Sequence, residues 1–279
     1  MDEELKNKII ADITKTGFPS ELKVASSLRS AHWTCEQNLT YNDFEAGRSR
    51  EIDLKARKYF NRKGEKFSCA INLIIEVKKS SRPWVFFTIN NSPSYFEFKE
   101  PGYGIIHSRK NISFSDLAAK DLMHDFPRNL TNIIGTNFYE AFKSPDEPSK
   151  IYEALMSSIK ATFFQAFKSN GLLNEPKQTI ITADILLQQT PDKHRHIEVY
   201  IPVVIVDGVL CTSTLSEDQT IELTETFYVP VQMSHSVSPY DTYYLYHPEV
   251  ISLNYIPNFL KSLDNWGDSL LHFLRQTSR

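Results

Sequence analysis

Four side chains in the first third of the chain have the types and spacing of a hydrolytic centre. Glu21, Asp53 and Glu76 are carboxylates on three separate expected elements, and Lys78 stands two residues after the last of them. Like-charged carboxylates taken out of water are costly, so a site that collects them usually holds a divalent cation. A lysine on the same strand face as the last acid points toward phosphodiester hydrolysis more than passive metal storage.

The elements that must position these groups read from the apolar periodicity. Leu5, Ile9, Ile10 and Ile13 recur at helical spacing over residues 3–14, with Gly17 as the expected C-cap. Ser20 is the expected N-cap of a second helix that turns Leu22, Ala25 and Leu28 inward. Glu21 then falls in its first turn, where the helix dipole favours a carboxylate. A strand is expected over residues 35–41, a hairpin turn over 42–47 and a second strand over about 50–59. In that strand Ile52, Leu54 and Ala56 should face one way, and Glu51, Asp53, Lys55 and Arg57 the other. A third strand, 67–78, is apolar on both faces until its end, as a central strand should be. Glu76 and Lys78 share one face because the side-chain period is two.

Further along, residues 84–87 read as a strand and 114–126 as containing a helix. A helix starting at Ser149 places Ile151, Leu155, Ile159, Phe163 and Ala166 inward. Strands are expected within 179–188, 197–206 and 226–233. Asp207-Gly208 carries a type I′ hairpin signal leading into Val209. Residues 256–274 read as one or two helices broken near Gly267. With no internal repeat or low-complexity linker, the whole chain, 1–279, is read as one α/β domain. Its core motifs lie in 17–88, an insertion after the third core strand in about 89–148, the second core helix and later strands in 149–233, and a C-terminal extension in 234–279.

Hydrophobic residues at 41% and charged residues at 23% are ordinary for a globular chain and argue against disorder. No apolar run reaches the roughly 20 residues that span a bilayer, so no membrane partner is expected. The acidic start, Met1-Asp2-Glu3-Glu4, does not read as a secretory signal. Cys35, Cys69 and Cys211 form no Cys-x-x-Cys pair and are expected as reduced thiols of a cytoplasmic protein. The net charge of −3 conceals an uneven distribution: eleven Lys and Arg against four acids lie between residues 48 and 82. A basic segment that brackets an acidic pocket is the footprint expected of a protein that grips a polyanion.

The segments Gly17-Phe18-Pro19-Ser20-Glu21-Leu22, Gly47-Arg48-Ser49-Arg50-Glu51-Ile52-Asp53 and Ile74-Ile75-Glu76-Val77-Lys78-Lys79, in that order on helix, strand and strand, resemble the PD-(D/E)XK nuclease superfamily. The resemblance covers residues 17–88 well and extends loosely over the Ser149 helix and the strand that follows. The proline of the family's first motif is absent, since Arg50-Glu51-Ile52 precedes Asp53. The resemblance implies the restriction-endonuclease-like fold: an αβββαβ core with a mixed central sheet flanked by helices. It also implies that Glu21, Asp53, Glu76 and Lys78 are catalytic. Asp53, Glu76, the Val77 backbone carbonyl and Glu21 would hold Mg²⁺ or Mn²⁺, and Lys78 would orient the attacking water or steady the transition state.

The function expected on that basis is a metal-dependent nuclease, an endonuclease acting on DNA rather than RNA. Arg48, Arg50, Lys79 and Arg82 would contact phosphates, which fixes position without reading sequence. A homodimer or a partner subunit is compatible with the acidic remainder of the chain. The alternative is a catalytically inactive module of the same fold that binds nucleic acid or a protein. His194-Arg195-His196 follows Pro191 in an expected loop and makes a poor metal site, while His124, His235 and His247 are isolated. Trp84 and Phe86 are expected in the core rather than as base-stacking platforms.

Overall fold

The longest stretches rich in Ile, Val and Leu lie side by side at the centre of the molecule, where both faces of a strand are covered. A computed structural model of the chain describes residues 1–61, 67–90, 107–108, 126–169, 195–237 and 242–276. Helices α1 (Glu3–Lys15) and α2 (Phe18–Ser30) come first, then strands β1 (Thr34–Asp43), β2 (Arg48–Asn61), β3 (Phe67–Lys79) and β4 (Trp84–Asn90). The short β5 (His107–Ser108), a 3₁₀ turn at Pro127–Leu130 and β6 (Ile133–Glu140) precede helix α3 (Lys150–Ser169). Next are β7 (Arg195–Asp207), β8 (Leu210–Leu215), β9 (Ile221–Glu225), β10 (Tyr228–Pro230), β11 (Met233–Val237), β12 (Thr242–Tyr246) and β13 (Glu249–Ser252). Helix α4 (Ile256–Gln276) follows.

The main sheet is mixed and open, ordered β1-β2-β3-β7-β13-β10, with β5 beside the start of β7. β2 runs antiparallel to both β1 and β3, and β3–β7 and β7–β13 are parallel. On one face Val24 and Leu28 of α2 and Phe259 and Leu263 of α4 pack on Leu54, Ile75 and Ile201. On the other face α3 contributes Ile151 and Leu155 against Val204, and Ala161 and Phe164 against Ile74 and Tyr200. The result is a helix–sheet–helix sandwich. A four-stranded sheet, β6-β4-β8-β9, and the β11–β12 hairpin lie outside it. None of the described helices is long and apolar enough to cross a membrane.

Local chemistry explains where the elements depart from the sequence reading. α2 begins at Phe18 with Gly17 as its N-cap, so Gly17 does not end α1, and Ser20 caps nothing. Pro19 fits the first turn because its missing N–H needs no partner there. Ser20 is buried instead and donates its hydroxyl to Asp207 Oδ2 at 2.5 Å. Leu22 points outward, 58% exposed, and Val24 takes its place in the core. Asp207-Gly208 is no hairpin turn: β7 belongs to the main sheet and β8 pairs with β4 in the smaller one. The link steps between sheets beside Ser80, whose carbonyl would lie 2.4 Å from a Cβ at Gly208.

Gly267 does not break the last helix. α4 is continuous, and the glycine exists for packing, because a Cβ there would lie 2.3–2.6 Å from the Phe60 ring. Gly267→Ala should therefore lower stability in urea. Overpacking costs about 1–3 kcal/mol, and helix propensity returns no more than about 1 kcal/mol. A more stable variant would mean that the ring yields freely. The three cysteines are free thiols, with Cys69 and Cys211 buried. The strand expected over 179–188 and all of the helix expected over 114–126 except Phe126 lie outside the described residues.

A buried ionic network ties the 3₁₀ turn to the far side of the main sheet. The Arg128 guanidinium donates to the Glu249 carboxylate and the His247 carbonyl, and Tyr228 Oη donates to Glu249 Oε2 at 2.6 Å. Burial, reinforced by Arg128, holds the His247 imidazole well below its usual range. Such a group stays neutral when folded and protonates when unfolded, so its contribution to stability is lost as pH falls below about 6.5. Comparing urea midpoints at pH 7.5 and 5.5 for the wild type and His247→Asn tests this. The wild type should lose the more of the two on acidification, and equal losses would show that His247 does not titrate on unfolding.

Candidate functional site

The carboxylates meet where β2 and β3 part. Pairing between these strands runs from Asn61–Ser68 to Leu54–Ile75 and stops, whereas β3 stays paired with β7 through Lys79. Asp53 and Glu76 are the first residues beyond the last β2–β3 pair. Beside them, Asn38 of β1 adopts φ +55° and drops out of the β1–β2 register. A left-handed residue in a strand interrupts its alternation, and β2 turns over at this point. Ile52 packs with Tyr41, Ile74 and Phe164, but Leu54 joins Val24, Leu28 and Ile75 on the opposite face. Leu54 and Ala56 share a face as expected but Ile52 does not, and the notch at this turn-over is the site.

Backbone and side chains interlock in the notch. The Val77 N–H donates to Asp53 Oδ2 at 2.7 Å, a carboxylate standing where a strand carbonyl would otherwise accept. Lys78 Nζ lies 2.6 Å from Glu76 Oε1. Glu76 is only 5% exposed, and its Oε2 is buried with no hydrogen-bond partner. Burial pushes the Glu76 carboxyl up to about 7, with further upward pressure from Asp53 and Glu21 against the pull of Lys78. Burial also raises Asp53, opposed by the Val77 N–H and Lys78. It raises Glu21 as well, helped by Asp53 and countered by Lys78. Burial would lower the Lys78 ammonium, but Glu76, Asp53 and Glu153 together hold it above its usual range. Lys78 is therefore a fixed positive charge among three strained acids.

Among the described residues no three His, Cys, Asp or Glu side chains form a group that could hold a metal ion as they stand. The acids act on one another through charge across the notch, and Lys78 is the cation that meets Glu76. Their donor chemistry nonetheless suits a hard divalent ion: oxygen only, partly desolvated, and with one buried carboxylate oxygen unsatisfied. Val77 enters this arrangement through its N–H.

No protein-family model, curated protein sequence or solved structure matches this chain. The function must be argued from the notch and its surroundings.

Among the described residues, four cations of the basic segment pair with acids from elsewhere in the chain. Arg57 pairs with Glu198, Lys58 with Asp264 at 2.7 Å, and Arg82 with Glu147. Arg50 Nε meets Asp43 Oδ2 at 2.9 Å, and Asp43 also binds Lys160 and the Glu45 and Ala46 N–H groups. Despite burial, these partners hold Asp43 below the usual carboxylate range. Lys79 Nζ donates to the Thr14 carbonyl at the end of α1. Arg48 is exposed at the hairpin, and Arg50 lines a shallow depression with Thr40, Ser49, Glu51 and Ser157. Of the four residues expected to contact phosphate, Arg50 and Arg82 are thus engaged in ion pairs, and Arg48 is exposed.

Several groups around the site escaped sequence reasoning. Asp207 ends β7 level with Lys79 and secures Ser20, the neighbour of Glu21. Glu153, in the first turn of α3, acts on Lys78 from the face of the sheet that α3 covers. Buried Tyr41 has its hydroxyl pushed up to about 12, chiefly by burial, with Asp43 and Glu76 adding to it. Only the register of β3 against β7, and the docking of α3, place these residues. Their spacing in sequence carries no signal. His196 lies in β7 rather than in a loop.

Proposed function

We propose that the protein is a divalent-metal-dependent nuclease of the restriction-endonuclease-like kind, hydrolysing phosphodiester bonds in DNA. The observation that carries this reading is Glu76, a carboxylate 5% exposed with a bare oxygen, set between Asp53 and Lys78 where β2 leaves β3. The order α2-β1-β2-β3-α3-β7, with β3 and β7 parallel, is compatible with an αβββαβ core and supports the same reading.

On this reading Asp53, Glu76 and Glu21, with the Val77 carbonyl, would hold Mg²⁺ or Mn²⁺. Such an ion lowers the pKa of water and offsets charge building on a phosphate. The chain's own residues do the rest. The Val77 N–H fixes the Asp53 carboxylate, so one of its oxygens has a set direction. Lys78, held charged by Glu76, attracts a phosphate oxygen and stabilises the negative charge that develops there. Arg48 and Lys79 would contact phosphates flanking the scissile bond.

A second reading rests on the Lys78–Glu76 ion pair, which satisfies one carboxylate oxygen without any metal: a catalytically silent module of the same fold that binds nucleic acid or protein. Purified protein with Mg²⁺ or Mn²⁺, assayed on plasmid DNA, single-stranded DNA and RNA, separates the two. Nicking of DNA that is lost in both Lys78→Ala and Asp53→Ala supports the nuclease. Cleavage that persists in both variants removes the site assignment. No cleavage of any substrate, with no metal uptake by calorimetry, favours the silent module.

A further inference from the structure

Helix α1 is the anomaly of this fold. It is well specified locally: Asp2 accepts the Leu5 N–H at 2.7 Å as N-cap, and Glu4–Lys8 and Glu3–Lys6 pair along its surface. Yet it buries none of its residues. Leu5, Ile9, Ile10 and Ile13 are 48%, 41%, 51% and 46% exposed. Leu5, Ile9 and Ile13 recur every four residues and so share one face. Phe18 and Leu22 of α2 are also exposed. A helix of 13 residues draws little stability from propensity alone and normally needs a packed apolar face.

We propose that this face is a homodimer interface in which α1 packs antiparallel against α1 of a second copy, across a two-fold axis near Ile9. The pattern along the helix is self-complementary in that direction. With Ile9 against Ile9, Leu5 of each copy lies level with Ile13 of the other. The acidic first turn, Glu3 and Glu4, lies level with Lys15 of the second copy and with its Lys79, which holds the Thr14 carbonyl at the C-terminal end of the helix. Opposed helix dipoles favour the same arrangement. A parallel pair would instead set Glu3 and Glu4 against their own copies and stack like ends of the dipoles. An isologous contact of this kind closes on itself and leaves no repeating surface. None of the α1 apolar residues that carry the proposal belongs to the notch, and Lys79 is the residue it shares with the nuclease reading.

Sedimentation equilibrium of the full chain across the micromolar range should report a dimer. Ile9→Asp should weaken association roughly a hundredfold or more, since it buries an unpaired charge at the axis. Circular dichroism and the urea midpoint of the monomeric fraction should change little, because Ile9 is 41% exposed and belongs to no core cluster among the described residues. Geometry is read by a short bis-maleimide in a Cys35→Ser background. Ile9→Cys should cross-link to a covalent dimer, Leu5→Cys alone should not, and Leu5→Cys/Ile13→Cys should. A monomeric wild type, an undiminished dimer in Ile9→Asp, or a cross-link through Leu5→Cys alone would each overturn the proposal.

Discussion

Glu76→Gln is expected to abolish metal-dependent cleavage and, in the same molecule, to stabilise the fold. On the proposed reading the loss of activity is about a thousandfold or more, since a charged oxygen needed at the reaction centre is removed. The stability effect follows from the structure. Burial and two neighbouring acids push the Glu76 carboxyl up to about 7, above the usual carboxylate range. The folded chain therefore prefers the protonated acid. The stability this group contributes is complete below about pH 4.3 and lost as pH rises to about 7, a swing of up to about 3 kcal/mol. Glutamine cannot ionise, so in chelator at pH 8 the variant should unfold at higher urea than the wild type by about 2–3 kcal/mol, with the two curves converging near pH 5. A variant less stable at pH 8 would mean that the Lys78 ion pair outweighs the strain.

Arg128→Ala should be the most destabilising single change considered, costing about 3–5 kcal/mol by urea unfolding. Arg128 and Glu249 are both almost fully buried, and the guanidinium also donates to the His247 carbonyl. Removing the arginine strands a carboxylate that burial already raises above its usual range, leaving Tyr228 as its remaining hydrogen-bonding side chain among these partners. Adding Glu249→Gln to Arg128→Ala should recover part of the loss, because the amide carries no charge to desolvate. If the double variant is no better than the single one, the cost lies in lost packing rather than in the stranded charge.

What was legible in the sequence was legible for local reasons. Alternation marked β2, an apolar run marked β3, a 3.6-residue period marked α1, α2 and α3, and the run 42–47 marked a hairpin that the structure closes with Asp43 accepting two backbone N–H groups. The splaying of β2 from β3 beside Asp53 could be anticipated only as a possibility. It coincides with the left-handed Asn38 on β1, and there Ile52 and Leu54 face opposite sides of the sheet. Ser20, Asp207 and Gly267 were misread for the same reason. Each answers to a partner far along the chain: Asp207 for Ser20, Ser20 for Asp207, and the Phe60 ring for Gly267.

The sequence by itself determined which residues could do chemistry and the elements that carry them, because side-chain type and backbone periodicity act over a few residues. It also set the excess of positive charge between residues 48 and 82. Only the tertiary structure decided what that charge is for. Asp43, Glu147, Glu198 and Asp264 meet Arg50, Arg82, Arg57 and Lys58, so these four cations are engaged in ion pairs within the chain. Among the described residues of the segment, Lys78 is the cation paired with an acid of the notch, Glu76. Charge interactions fall with distance and strengthen with burial, and neither quantity exists until the strands have found their register.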